Sequence, residues 1–318
     1  MHSMLRLIYF IIFSFISTFL YATSSPDYSA IDARVKKMPA KHLKSIHSLV
    51  GALVEKQYSD TEKTRAIYMW IIRNIKWDND SVNLYLKTGD IKDLKPNTPE
   101  SVFKTRKGVC AGFAHLFKKL ADLAGLKAVT IFGYYKGAAA YYQEKLGRGP
   151  DHVWNAVKLG DNWFTIDTAY GSLHRTFEYY YLADPAVFIR THFPAESKFQ
   201  FLTPPVTRET FEKGASVHAA FFNDHLSDLK PNSLFIHTKT GEKVNISLTV
   251  PDNIKVFGSV KSGNQKTDIK VDKTRAGTTT VLSTTFTKKW QYNLFIASKD
   301  KMKKTSYQMA VLYVVKVE

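Results

Sequence analysis

The residue pattern of this chain changes at Pro204-Pro205 and divides the chain into two parts of different character. Before the prolines, apolar residues recur at three- and four-residue intervals, which is the spacing of helices. After them, short β-prone runs such as Val244–Val250 alternate with turn sequences, a pattern typical of a β-sandwich. With 318 residues, the chain is also too long for one ordinary core. We therefore predict one domain over residues 28–205, followed by a linker and β-sandwich over 206–318.

The first part mixes helical and strand-like segments. Asp60 can cap a helical stretch in which Ile67, Ile71 and Ile75 lie along one side. Further along, Gly160-Asp161-Asn162 separates two short β-prone runs, which is a strong hairpin signal. Helices followed by antiparallel strands predict an α+β fold for this domain.

The first 22 residues have the pattern of an export signal. Arg6 precedes the uncharged run Leu7–Leu20, and Ala22 supplies a small residue before a polar stretch. We predict a signal peptide over residues 1–22 and an exported protein, periplasmic or secreted. The apolar run is just long enough that an uncleaved N-terminal anchor stays open as an alternative.

The chain is strongly basic, with 45 Lys and Arg residues against 28 Asp and Glu residues and a formal net charge of +17. Such a surface attracts anions, so an anionic envelope surface is one candidate partner. The lysines are spread along the whole chain without a nucleic-acid-binding motif, which argues against nucleic acid. No metal-binding or nucleotide-binding motif is present either, so we expect no cofactor and no metal. The sequence leaves the oligomeric state open.

The single cysteine, Cys110, directly precedes an amphipathic segment that ends near Gly125. The positive end of a helix favours thiolate over thiol, and the thiolate is the nucleophile. Gly108 permits a tight turn before it, and the first helical N–H groups could receive an oxyanion. A lone cysteine is as often a small buried apolar residue, so position alone leaves both interpretations open.

His152 and Asp167 lie near the two ends of the predicted hairpin. If the turn is Gly160-Asp161, the two side chains share one face of the sheet, one diagonal apart and within reach. Asp167 could then hold the His152 tautomer while His152 takes the proton of Cys110. A three-residue turn would place them on opposite faces. The remaining histidines that we considered are interpreted as structural or surface residues: His115, His174 and His192.

Three blocks of sequence resemble the transglutaminase-like superfamily, whose active site is arranged as in papain. They read AIYMWIIRNIKWD, TRKGVCAGFAHLFKKLADLAGLKAVTIFGYYKG and DHVWNAVKLGDNWFTIDTAYG. The segment Tyr180–Leu202 is similar to a stretch of the kyphoscoliosis-peptidase-like branch. The resemblance covers about residues 46–222 and implies Cys110 as nucleophile, His152 as base and Asp167 as the residue that orients the base.

The resemblance also implies a reaction class, which is attack on an amide of a protein or peptide substrate through a Cys110 thioester. Superfamily members include crosslinking enzymes, peptidases and relatives that only bind, so a non-catalytic scaffold is the alternative. We expect a peptidase rather than an acyl transferase, because the glycine-containing segment 137–150 is typical of a mobile flap. A crosslinking enzyme with this many lysines would also risk modifying its own lysine side chains. Trp77 and Trp154 are candidates for the second oxyanion donor, although core packing competes for each.

Overall fold

The computed structural model describes residues 26–38, 44–88, 97–136, 149–173, 177–263, 265–303 and 306–318. The predicted signal peptide, His174 and residues 137–148 of the predicted flap therefore lie outside the described residues. Within the described ranges, no helix is long and apolar enough to cross a membrane.

Helices dominate the first part of the chain. The helices before the first large sheet are α1 (Ser29–Lys36), α2 (Ile46–Leu53), α3 (Asp60–Asn74), α4 (Asn79–Thr88), α5 (Pro99–Thr105) and α6 (Cys110–Leu123). Two short strands, β1 (Lys76–Trp77) and β2 (Lys107–Gly108), pair in parallel between them. The predicted cap of α3 was wrong by one residue: Ser59, not Asp60, is the N-cap, because its hydroxyl and Glu62 form a reciprocal capping box.

Helix α6 packs its apolar face into the core of this first part. Phe113, Phe117 and Leu120 are fully buried, in agreement with their helical spacing. The chain leaves the helix through Gly125, which has a φ of 77°, and this left-handed conformation suits glycine. The predicted end of the helix is therefore confirmed.

The sheet of the first part has four strands in the order β5-β4-β3-β6. These are β3 (Ala128–Tyr135), β4 (His152–Leu159), β5 (Asn162–Ile166) and β6 (His192–Pro194). Leu159 pairs with Asn162 across the hairpin, so of the two turn lengths that the sequence left open, the two-residue turn is the one that forms. Helices α7 (Thr168–Leu173) and α8 (Pro185–Phe188) connect β5 to β6, with a turn of 3₁₀ helix at Phe177–Tyr180 between them.

Buried Arg65 on α3 holds this connecting segment in place. Its guanidinium donates at 2.8 Å to Asp32 on α1 and at 2.8 Å to Glu178 in the 3₁₀ turn. The same group lies over the ring of Tyr181. Both carboxylates satisfy the buried cation, as a buried charge requires.

Strands dominate the remainder, after the helices α9 (Arg208–Lys213) and α10 (Ala219–Asn223). The strands are β7 (Ser216–Val217), β8 (Ser227–Lys230), β9 (Phe235–Thr238), β10 (Lys243–Thr249), β11 (Ile254–Ser262), β12 (Gln265–Lys266), β13 (Asp272–Ala276), β14 (Thr279–Thr285), β15 (Trp290–Asp300) and β16 (Gln308–Val317). One sheet has the order β13-β14-β10-β8, and the other has the order β12-β11-β15-β16-β7 with β9 beside β16.

The inner faces of these two sheets share one apolar core, to which Ile246 and Leu282 contribute from one sheet and Ile296 and Val311 from the other. An α+β domain followed by a β-sandwich is therefore confirmed. The two parts also touch, since Phe222 of α10 stacks on Tyr179 with ring centroids 4.7 Å apart.

Candidate active site

Cys110 is the first residue of α6, and it is a free, partly buried thiol. The preceding residue, Val109, is extended and has no side-chain oxygen with which to cap the helix. The β1–β2 pair places Trp77 directly beside Gly108, two residues before the cysteine. The start of α6 therefore presents its N–H groups at the same place as the thiol, which is where an anion is stabilised.

His152 and Asp167 form a short buried pair. His152 Nε2 lies 2.6 Å from Asp167 Oδ2, and the two side chains are 4% and 1% exposed. The other carboxylate oxygen, Oδ1, accepts a hydrogen bond from the Tyr170 backbone N–H at 2.9 Å. The observed hairpin register explains the pair, because it puts both residues on one face of the sheet.

The charges of this pair follow from its surroundings. Burial lowers the pKa of His152, but the charge of Asp167 and its hydrogen bond outweigh burial and raise the pKa to about 10. A side-chain hydrogen bond with Cys110 acts in the same direction. Burial would raise the pKa of Asp167, but the two neighbouring histidines, His152 foremost, hold it well below its usual range. At neutral pH, His152 is therefore a cation and Asp167 an anion.

The structure also places His192 at this pair, which the sequence analysis missed. His192 Nε2 lies 3.1 Å from Asp167 Oδ2, and its side chain is fully buried. Burial outweighs the attraction of Asp167 and lowers the pKa of His192 to about 4, so this imidazole is neutral. Of the two alternatives left open for His192, structural or surface, its burial agrees with the structural one. Its short strand carries no local signal of a site, and only its place within Tyr180–Leu202 could have drawn attention to it.

Of the other two histidines left as structural or surface residues, His115 is not part of this cluster, because its Nδ1 lies 3.0 Å from the Asn97 carbonyl oxygen. His174 is outside the described residues.

Among the described residues, His152, Asp167 and His192 could hold a metal ion, since their ligand atoms lie within 4.8 Å of one another. The two nitrogens lie 2.6 and 3.1 Å from the shared oxygen. Ligand atoms around a tetrahedral zinc ion would be roughly 3.3 Å apart, given bonds of about 2.0–2.1 Å. The observed spacing is that of groups bonded to each other, so the cluster fits a hydrogen-bonded network rather than a metal centre.

Aromatic rings surround the cluster and exclude water from it. Tyr170 and Tyr135 lie 5.0 and 5.6 Å from the His152 ring. Burial raises the pKa of Tyr135 to about 12 and that of Tyr170 further, so both stay neutral hydroxyls. Trp154 is 1% exposed and belongs to a buried apolar cluster, and its ring stacks on that of His152 with centroids 5.8 Å apart. Its indole N–H is buried without a hydrogen-bond partner among the described residues, so core packing does not remove Trp154 as a candidate donor. Trp77 is the candidate that the β1–β2 pair holds beside Gly108.

Residues 47–168 match the family model of the transglutaminase-like superfamily. The site described above therefore lies in a transglutaminase-like domain, as the sequence resemblance predicted, although His192 falls beyond the matched range. The chain is 31% identical over 225 residues to the kyphoscoliosis peptidase of Mus musculus, covering 68% of this chain and 33% of the mouse protein. It is 28% identical over 231 residues to Hillarin of Drosophila melanogaster, covering 65% and 27% of the two chains.

This chain thus spans about a third or less of the length of these two relatives. A solved structure described as the crystal structure of a TGase aligns with a TM-score of 0.30 at 20% identity, over 48% of this chain and 35% of that chain.

Proposed function

We propose that this chain is a cysteine-nucleophile enzyme that attacks amide bonds of proteins or peptides, with Cys110 as nucleophile, His152 as base and Asp167 as the orienting residue. The observation that carries the proposal is the buried 2.6 Å contact between His152 and Asp167. The same histidine also hydrogen-bonds Cys110. Acyl transfer requires a nucleophile, a base beside it and a group that orients the base.

The geometry assigns each ring nitrogen of His152 a role. Asp167 occupies Nε2, which leaves Nδ1 for Cys110. Because His152 is already a cation at neutral pH, the proton on its Nδ1 is the one that Cys110 has given up, and in the proposed reaction the Cys110 thiolate forms a bond to the amide carbonyl carbon. The tetrahedral intermediate collapses as His152 returns that proton to the leaving nitrogen, so an amine departs and a Cys110 thioester remains.

The second half of the reaction regenerates the thiol. Water gives one proton to His152 while its oxygen bonds to the thioester carbonyl carbon. The C–S bond then breaks, and Cys110 leaves as a thiolate beside the protonated His152. We propose hydrolysis rather than amine transfer, for the reason already given, that a crosslinking enzyme rich in lysine would modify itself.

The oxyanion of each tetrahedral intermediate needs donors beside Cys110. We propose the first N–H groups of α6 for this role, because Val109 cannot cap them. We propose the Trp77 indole N–H as the second donor, because the β1–β2 pair holds Trp77 beside Gly108. Replacing Trp77 with Phe should then lower kcat by about 100-fold while KM stays within a few-fold.

Thiol chemistry tests the central claim directly. One sample of the protein is treated with iodoacetamide at pH 7, and a separate, unalkylated sample is incubated with a peptide library in the presence of a labelled primary amine. Cys110 should be alkylated rapidly, and its rate should drop in His152→Ala but not in the matched variant His115→Ala. Peptide cleavage that disappears in Cys110→Ala supports a peptidase, whereas Cys110-dependent amine incorporation that exceeds cleavage indicates a transferase. Slow alkylation that is unaffected by His152→Ala, with neither product, would favour the non-catalytic scaffold.

We also propose that the protein is exported and that its basic surface contacts an anionic envelope. The pattern of residues 1–22 supports export, and the net charge of +17 supports the partner. Mass spectrometry of the protein isolated from its native cells tests the first point, since a mature N-terminus at Thr23 is expected. Release from the envelope fraction by rising salt tests the second.

A further inference from the structure

Asp167 Oδ2 is shared by two imidazoles, although a triad needs only one. His152 Nε2 lies 2.6 Å and His192 Nε2 lies 3.1 Å from this oxygen. With the Tyr170 N–H on Oδ1, three donors serve one fully buried carboxylate. A buried carboxylate is costly unless its lone pairs are satisfied, so the second imidazole has an energetic reason to be there.

The donor and the acceptor of each hydrogen bond in this network can be assigned by starting from Asp167. Asp167 is an anion and can only accept, so the neutral His192 must carry its one proton on Nε2. Its Nδ1 is then an acceptor, and the hydroxyl of Thr191 lies 2.8 Å away. That hydroxyl has a single proton and two acceptors within reach, His192 Nδ1 at 2.8 Å and the Phe188 carbonyl oxygen at 3.2 Å. If it donates to the nearer Nδ1, its oxygen remains to accept from the hydroxyl of Tyr179 at 2.7 Å. One directed chain results, from Tyr179 through Thr191 and His192 to Asp167.

Packing fixes the His192 ring as firmly as the hydrogen bonds do. Phe188 stacks on it with centroids 3.8 Å apart and planes 13° apart. Trp154 meets it edge-on at 5.2 Å, and Tyr135 lies at 4.9 Å. The titratable groups that face His192 are thus Asp167 and His152, with the phenols of Tyr135, Tyr170 and Tyr180 around them. The ring has little freedom to turn away from the carboxylate.

We propose that His192 is a positioning residue, which holds the Asp167 carboxylate in place and thereby keeps the His152 ring aimed at Cys110. His192 touches no reacting atom and acts only through Asp167. The part of this inference that concerns turnover rests on the proposed function, but the part that concerns the order of the protons does not. The expected consequence is that the reactivity of Cys110 depends on a donor at the Nε2 position of residue 192.

The first experiment reads the tautomer in the wild-type protein. Histidine labelled with ¹⁵N is followed by two-bond proton–nitrogen spectra between pH 5 and 9, and His192 is assigned from the signals lost in His192→Gln. We expect a neutral His192 with its proton on Nε2 across this range. A cationic His192 at pH 7, or a proton on Nδ1, would overturn the proposal.

The second experiment compares two substitutions by alkylation of Cys110 at pH 7. His192→Phe removes the donor and keeps a ring, so the rate should fall by roughly 10- to 100-fold, as expected for loss of a hydrogen bond to a charged group. His192→Gln retains an N–H donor at similar reach, so its rate should recover to within about threefold of wild type. Equal rates in both variants, whether both low or both unchanged, would contradict a positioning role. They would show that the alkylation rate does not depend on an N–H donor at residue 192.

These readouts separate the two proposals. Alkylation and the tautomer need no substrate, so they can support His192 as a positioning residue even if neither peptide cleavage nor amine incorporation is found. If His192→Phe does not fold, the wild-type tautomer still decides, and a His192→Gln rate far below that of wild type would contradict the proposal. Conversely, Cys110-dependent cleavage with a wild-type rate in both variants would leave the proposed function standing and remove His192 from the site.

Discussion

Replacing Asp167 with Asn tests the electrostatics of the candidate site most directly. The amide has nearly the size of the carboxylate but no charge, and its NH₂ group cannot accept a hydrogen bond. Two imidazole nitrogens, on His152 and His192, would then compete for one carbonyl oxygen. The buried His152 cation would lose the anion that offsets its removal from water.

The structure sets the size of the effect. The pKa of His152 rises from 6.5 to about 10 because Asp167 outweighs burial, which corresponds to about 5 kcal/mol. Without the anion, burial dominates, and the pKa of His152 should fall to its ordinary value or below it. A raised histidine pKa stabilises the folded protein fully below pH 6.5, and this stabilisation is lost as the pH rises towards 10. The free energies of unfolding of wild type and Asp167→Asn should therefore differ most near pH 6. This difference should shrink by several kcal/mol as the pH rises towards 10.

Two measurements check this prediction. A ¹⁵N titration follows the protonation of His152, and urea unfolding at pH 6, 8 and 10 gives the free energy of unfolding of each variant. Asp122→Asn is the matched control, because Asp122 pairs with Lys118 on the exposed side of α6 and should change neither result. If His152 still titrates near pH 10 in Asp167→Asn, or if the difference in stability does not depend on pH, the electrostatic argument is wrong.

Three further predictions follow from the same structure. The pKa of His192 is lowered to about 4 by burial, so the unfolded chain binds a proton there below pH 6.5 that the folded protein does not. The free energy of unfolding of wild type, measured with urea, should fall by about 3 kcal/mol between pH 6.5 and 4, and that of His192→Gln should fall by less. Gly133→Ala should lower the free energy of unfolding by about 1–3 kcal/mol or more, because its Cβ would collide with Trp154; Gly149→Ala, which meets nothing nearby, is the control, and equal melting temperatures would contradict the prediction. Limited proteolysis should release a stable β-rich fragment from residues 206–318, and the absence of any such fragment would argue against an independent domain.

Local sequence patterns predicted the elements that depend on short-range rules. The apolar spacing after Cys110 and the glycine at position 125 predicted α6 and its end, because a helix needs one apolar face and a left-handed exit. Gly160-Asp161-Asn162 predicted the β4–β5 hairpin but left its register open between a two-residue and a three-residue turn, and the structure decided for the two-residue turn. Missing Ser59 as the cap of α3 reflects the small difference between adjacent residues that can both cap.

The sequence by itself therefore determined the α+β character, the sandwich and the order of Cys110, His152 and Asp167, because periodicity, turns and motif spacing are written along the chain. Only the tertiary structure decided that His192 shares the Asp167 carboxylate. The strand that carries it reaches β3 from 25 residues beyond Asp167, through packing that no local pattern encodes. Asp167 then holds His152 as a cation, whereas burial keeps the neighbouring His192 neutral. The physical reason is that desolvation and the distance to a shared anion are properties of the folded chain and not of the residue.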